Sequence, residues 1–383
     1  MTKTTAQKKE YKPRTYYDYS LLVITLVLVC IGLVMIYSTS PYFAVKQKFG
    51  DPDYFFKRQL IAAIIGLVGM VIVSKIDYFF YVKGFGKKEN IRLIYLAYVV
   101  CIALQIVVLR TGDAVKGAKR WIKIPLIGSF QPSELSKLCI ILLVAFIAYS
   151  APKRFDSVWG MGRVLFYTGP LLVLVVIENL STAIVIAGII FLICFVVARR
   201  KWYFFLAGGI AVASVVLIIL FGDPFRVARI DAWLHVESHD MGFQILQGLY
   251  AIASGGLWGK GLGQSIQKLG FIPESHNDMI FAIICEELGI VGALAIILLY
   301  VLLLWRLFVV AVNAKDLFGS LICVGIMVHI AIQVIINIAV VTNTIPATGI
   351  PLPFISYGGT SIVVLMAEIG VALSVSNRIE YER

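Results

Sequence analysis

Apolar segments of roughly 16–30 residues recur along the whole 383-residue chain, and each is long enough to cross a ~30 Å hydrocarbon core as a helix. Inside that core every backbone polar group must find its partner within the protein, so open-ended strands and loops are excluded there. The segments lie at roughly 19–39, 57–74, 91–110, 133–150, 162–177, 181–199, 202–221, 279–310, 318–342 and 357–377. They predict an all-α fold: a polytopic integral membrane protein of about ten transmembrane helices in a single membrane domain, 1–383. Composition agrees. Apolar residues make up 60% and charged residues 15% of the chain, and mean hydropathy is +0.91. A soluble enzyme of this size has too little interior to hide that much apolar surface, and disordered or disulfide-stapled chains have other compositions.

The charge then orients the chain. Lys and Arg number 34 against 22 Asp and Glu, a net +12. With the N-terminus inside, 20 basic residues fall in cytoplasmic segments, 13 fall outside and Lys137 lies within a span. That bias predicts both termini in the cytoplasm and a short basic tail over 1–18. The +12 is therefore read as topology, not as nucleic-acid binding. The first apolar run shows no small-x-small cleavage site and is read as a retained helix. All six cysteines sit in apolar stretches without CxxC spacing and read as small buried hydrophobes.

Two outer segments depart from the pattern. The loop after the third span, residues 110–124, carries five basic residues, among them Lys116, Lys119, Arg120 and Lys123. The segment 222–278 forms one large extracellular loop between spans 7 and 8, and structureless loops of that length are usually functional. Its SGGLWGKGLG stretch (254–263), which includes Lys260, has no strand before it and so lacks the context of a phosphate-cradling fingerprint. His235 and His239 are spaced i,i+4 with His276 further along, but spacing fixes no third zinc ligand.

Ionisable residues inside hydrocarbon cost about 2.5–3.5 kcal/mol each on insertion scales and are functional candidates. Glu134 and Lys137 in FQPSELSKL share a helix face, where they serve either as a self-contained ion pair or as the wall of a polar cavity. Pro132 suits the first turn. ENLST (178–182) separates two short apolar runs. His329, Gln333 and Asn337 form one polar stripe suited to interhelical hydrogen bonds, and Glu368 has no evident sequence partner. In FIPESHNDMIFAIICEELG (271–289), Asn277 or Asp278 stands where a helix cap would, and Asp278 equally suits a general base at the membrane–water boundary. Glu274 and His276 are its neighbours, and Glu286 shares its face.

At these residues the chain resembles the SEDS family of bacterial cell-wall polymerases, RodA, FtsW and SpoVE. The matching stretches are IGLVMIYS (31–38), GAKRWI (117–122), FQPSELSKL (130–138), residues 254–289 and ATGIPLPFISYGGTS (347–361), in the family's order over nearly the whole chain. GAKRWI and the outer-loop GKGLGQSIQKLGFIPE lean to FtsW/SpoVE; TGIPLPF leans to RodA. One departure is the break at 178–182, where Asn179 replaces the family's usual Asp.

The resemblance implies polymerisation of lipid II into glycan strands by a peptidoglycan glycosyltransferase at the outer face. It implies that Asp278 is the essential carboxylate and that Glu134 and Lys137 are the family's intramembrane charged positions. The expected substrate-binding residues are Lys116, Lys119, Arg120, Lys123, Glu134, Lys137, Lys260, Glu274 and His276. The expected partners are membrane lipid and a class B penicillin-binding transpeptidase, with no nucleic acid. No covalent cofactor is expected; a divalent cation, Mg or Mn, is compatible with a diphosphate leaving group. The other function classes are a lipid II flippase, which suits ten spans and a broken helix but leaves the outer carboxylate unexplained, and a non-catalytic scaffold.

Overall fold

The computed structural model describes residues 14–46, 50–85, 91–115, 118–124, 128–206, 208–209, 230–237 and 242–381. Among these, nine helices are long and apolar enough to cross a membrane. They are α1 (Tyr19–Thr39), α3 (Tyr54–Lys75), α4 (Leu93–Thr111), α5 (Pro132–Ser150), α6 (Val158–Glu178) and α7 (Leu180–Val197), followed by α9 (Ile280–Asn313), α10 (Leu317–Val341) and α11 (Gly359–Ser376). Two shorter helices, α2 (Pro41–Lys46) and α8 (Phe243–Gly255), lie between them. Of the expected seventh span, 202–221, residues 202–206 and 208–209 are helical and the rest falls outside the described residues, as does much of 222–241. The all-α membrane architecture is as expected.

Local chemistry sets the helix ends. The Asp18 carboxylate accepts the Leu21 N–H at 2.9 Å and starts α1; Asp316 does the same for Gly319 and α10 at 2.9 Å. Pro132 opens α5, where its missing donor costs nothing. α10 packs against α5, α7, α9 and α11, and α11 lies along α3. α5, α10 and α11 are mostly covered by their neighbours, whereas α4 and α6 turn most of their apolar surface outward.

The bundle has two distinct ends. At one, Asp18 receives the Arg306 guanidinium at 2.7 Å, and β1 (Arg14–Thr15) pairs antiparallel with β7 (Glu380–Tyr381), which brings residues 14–15 beside 380–381. The hairpin of β2 (Gly84–Phe85) and β3 (Ile91–Arg92) follows Asp77, which binds Arg378 at 2.6 Å, at this same end. At the other end stands a small antiparallel sheet of β4 (Asp113–Val115), β5 (Ala118–Ile124) and β6 (Gly128–Phe130), with β5 central. The sheet holds the basic loop that the sequence left unstructured; strands this short outside the hydrocarbon produce no long apolar run to read.

Candidate active site around Asp278

Asp278 sits at the sheet-bearing end, just before α9, and is half-buried. The N-cap position of α9 is Met279, one residue after Asp278. Its carboxylate accepts from Gln244 Nε2 of α8 at 3.5 Å and faces Gly349, where an added Cβ would lie 3.6 Å from Oδ2. Behind it, Asn337 of α10 donates through Nδ2 to both Asp278 O and Ile350 O at 2.8 Å. One amide thus pins the Asp278 backbone to the loop 342–358. Ser356 Oγ donates to Asn277 O at 2.7 Å, and the Tyr357 N–H donates to His276 O at 2.9 Å.

That loop is also the bridge to the basic sheet. Ser181 Oγ donates to Thr348 O at 2.9 Å, tying the 178–182 break to it. Beyond it, Thr360 Oγ1 donates to Ser129 O at 3.0 Å, next to β6. At the break, Asn179 caps α7 by accepting from the Ser181 and Thr182 N–H groups at 3.1 and 3.4 Å. Glu178 is buried and accepts from Gln105 Nε2 at 2.6 Å, while Arg120 Nε of β5 donates to the Glu178 carbonyl at 3.2 Å. The motif 347–361 therefore joins Asp278, the helix break and the basic sheet.

The remaining candidates fall into four settings. Lys119 and Lys123 lie on β5, with their side chains outside the description; Lys116 lies outside the described residues altogether. Glu134 and Lys137 form a buried ion pair of 2.8 Å, and Glu134 Oε2 has no hydrogen-bond partner among the described residues. Glu368 finds its partner in His329 (Nδ1 to Oε2, 2.8 Å), both fully buried, so the stripe on α10 makes an interhelical bond at His329, while Asn337 bonds to loop carbonyls. Near Asp278, the His276 ring is enclosed by Phe55 (centroids 4.5 Å apart), Phe43 (5.1 Å) and Tyr357 (5.5 Å). Burial pushes its pKa down to about 4, against a smaller opposing pull from Glu274. Glu274, at φ 51, accepts from Asn277 Nδ2 at 3.1 Å and tightens the turn into Asp278.

Lys260 is bound to the buried Glu286 carboxylate at 2.7 Å. Glu286 also accepts from Ser265 Oγ and from the Ile266 N–H, the latter at 3.1 Å. Glu287 takes Lys268 Nζ at 2.7 Å and Ser38 Oγ at 2.7 Å. This pair of carboxylates clamps the Gly-rich segment onto α9. Among the described residues, no group of three or more His, Cys, Asp and Glu side chains converges to hold a metal ion; His239 lies outside them, and all six cysteines are free. Sequence reading missed Asn337 as the Asp278 anchor, although the polar stripe was its signal. It also missed Gln244, which carries no signal at all.

A family model described as cell cycle protein (FtsW/RodA/SpoVE) matches residues 19–381. Stage V sporulation protein E of Bacillus subtilis (strain 168) is 40% identical over 96% of this chain and 99% of its own length. A probable peptidoglycan glycosyltransferase FtsW of Trichlorobacter lovleyi is 34% identical over 94% of this chain and 93% of its own. Among solved structures, a chain of a peptidoglycan synthase complex, described as coordinating polymerization and crosslinking, superposes with TM-score 0.77 at 28% identity, covering 94% of this chain and 97% of that one. Thermus thermophilus rod shape determining protein RodA does so with TM-score 0.66 at 26% identity, over 96% and 98%.

Proposed function

The chain belongs to the FtsW/RodA/SpoVE family, and on that footing we propose that it is a peptidoglycan glycosyltransferase that polymerises lipid II with Asp278 as its base. The observation that carries this is the placement of Asp278. A partly exposed carboxylate stands at one end of a membrane bundle, approached by Gln244 and fixed through its backbone by Asn337. The basic sheet is tied to the same loop.

The chemistry follows from the substrate. Asp278 takes the proton of the 4-hydroxyl on the acceptor's terminal N-acetylglucosamine. That oxygen attacks the anomeric carbon of the donor N-acetylmuramic acid, the configuration inverts, and undecaprenyl diphosphate leaves with the bonding electron pair. Diphosphate is a good leaving group, so one positioned base suffices. Its charge is met by Arg120 and by Lys119 and Lys123 on β5, Arg as a bidentate donor. A divalent cation at the diphosphate would draw most of its ligands from phosphate and water. The Asp278 end faces outside and both termini face the cytoplasm, as the basic bias requires. A class B penicillin-binding transpeptidase works alongside to cross-link the glycan; the related synthase complex that couples polymerization and crosslinking supports that pairing. Lipid II transport is not favoured, since the curated relatives are named for glycosyl transfer.

The test is purified chain in detergent with labelled lipid II and divalent cation, with and without the cognate transpeptidase, read on a gel that resolves glycan polymers. Polymer in either condition is the expected result. None in both, alongside lipid II movement across vesicles, would replace the polymerase with a transporter.

A further inference from the structure

At the end of the bundle that carries β1 and β7, opposite Asp278, two adjoining clefts open between helices. The larger, about 630 Å³, lies between α4, α5 and the start of α6; its walls include Arg92, Arg154 and Arg163 with Tyr95, Tyr98 and Tyr167. The smaller, about 390 Å³, shares Arg92 and Phe146 with it. Arg92 lies over the Phe146 ring, 4.5 Å from its centroid, which holds the guanidinium at the junction of the two. Among the described residues, no carboxylate lines the larger cleft. Three other basic residues at this end are neutralised, Arg306 by Asp18, Lys315 by Glu380 and Arg378 by Asp77; Lys153, Arg199 and Arg200 are basic residues of this end that lie off the cleft. Among the described residues the three cleft arginines have no such partner.

The cleft stands level with a membrane–water interface. Tyr19, Trp159, Trp202 and Trp305 are all more than half exposed around this end, the placement of an aromatic belt. Next to the cleft, α4 exposes Leu96, Val99 and Val100, and α6 exposes Leu165 and Phe166, so the surface running away from it into the hydrocarbon is apolar. The Tyr98 hydroxyl donates to the Tyr167 carbonyl and ties α4 to α6 beside the opening. Three unpaired guanidiniums at interface depth, with apolar helix faces leading off, match an anionic phosphate carrying acyl chains. Basic pockets between membrane helices recognise such headgroups, and Arg suits phosphate through its planar fork.

We propose that the cleft between α4, α5 and α6 binds the phosphate headgroup of an anionic membrane phospholipid, on the membrane face opposite Asp278. The site is separate from the Asp278 site and does not depend on its chemistry.

The test is native mass spectrometry of the full chain from mixed phosphatidylglycerol and phosphatidylcholine micelles. It compares wild type, the cleft variant R92Q/R154Q/R163Q, and a charge-matched control, K153Q/R199Q/R200Q, at the same end but off the cleft. Wild type and control should retain phosphatidylglycerol in preference to phosphatidylcholine, and the cleft variant should lose that preference by on the order of a hundredfold. Inorganic phosphate at the same concentration should not displace the lipid. Equal retention by the cleft variant and the control would overturn the proposal in favour of diffuse charge attraction, and displacement by inorganic phosphate would overturn the lipid assignment. Photolabelling of unmodified protein with a photoactivatable phosphatidylglycerol needs no variant to fold. Label concentrated on α4–α6 peptides supports the site, and label spread evenly over all helices refutes it.

Discussion

His276, two residues before Asp278, shows how burial holds an imidazole neutral. Its ring is enclosed by three aromatic side chains, and its folded-state pKa of about 4 lies below the ordinary 6.5. The unfolded chain therefore binds more protons than the folded chain between those values. Stability from this group is complete above pH 6.5 and falls as pH drops towards 4, by about 3 kcal/mol in all. Thermal melting in detergent at neutral and acidic pH should show that loss in wild type, and His276→Phe, which keeps the aromatic contacts, should flatten it. A second prediction concerns Glu134 and Lys137. Removing one partner leaves a buried uncompensated charge, so Lys137→Met should cost about 3–5 kcal/mol, and the double variant Glu134→Gln, Lys137→Met should recover much of it. Melting of the three proteins side by side checks this. At this scale the sequence was partly legible. A carboxylate at the start of an apolar helix and a pair of opposite charges three apart are local patterns. The Glu368–His329 pair and the Asn337–Asp278 bond are not local, since the partners are 39 and 59 positions apart and only the packing of α10 brings them together.

Within α9, the helix contains a kink that the sequence reads as one continuous span. Gly289 at φ 68 and ψ −172 interrupts it, and the Gly-rich segment supplies the partners for the backbone groups set free. The Ile290 and Val291 N–H groups donate to the Gly256 and Leu257 carbonyls at 3.0 and 3.2 Å, and the Lys260 and Gly261 N–H groups donate to Glu286 O and Glu287 O at 2.9 and 3.0 Å. The approach is so close that a Cβ at Gly259 would lie 2.2 Å from Glu287 O. The glycines that resemble a phosphate cradle are thus a backbone splice, which only the placement of α9 reveals. Gly259→Ala, with φ at 77 as well, should destabilise the fold by roughly 1–3 kcal/mol and loosen the segment leading to Asp278. Hydrogen exchange over 256–270 should rise in this variant and stay at the wild-type level in a surface control such as Gly69→Ala, which meets nothing within 4 Å.

Across the whole molecule, the apolar runs fixed the helical membrane architecture because the bilayer leaves few alternatives. They could not foresee the sheet of β4, β5 and β6, the pairing of β1 with β7, or which helices are central, because lipid-facing and protein-facing surfaces are equally apolar. The two ends of the bundle should lie on opposite sides of the membrane. In a chain with its native cysteines replaced, a single cysteine at Trp258, which is 78% exposed, should react with an impermeant thiol reagent on intact cells. One at Glu380 should react only after permeabilisation. Labelling of both in intact cells would contradict the topology.

The central claim is that the Asp278 carboxylate performs the proton transfer. The direct measurement is the single-turnover rate of glycan bond formation by wild type and by the near-isosteric Asp278→Asn, on folded protein with equal lipid II occupancy. A positioned general base contributes about 10²–10⁴-fold, so the variant should lose at least two orders of magnitude while still binding substrate. A variant that polymerises at the wild-type rate would contradict the account.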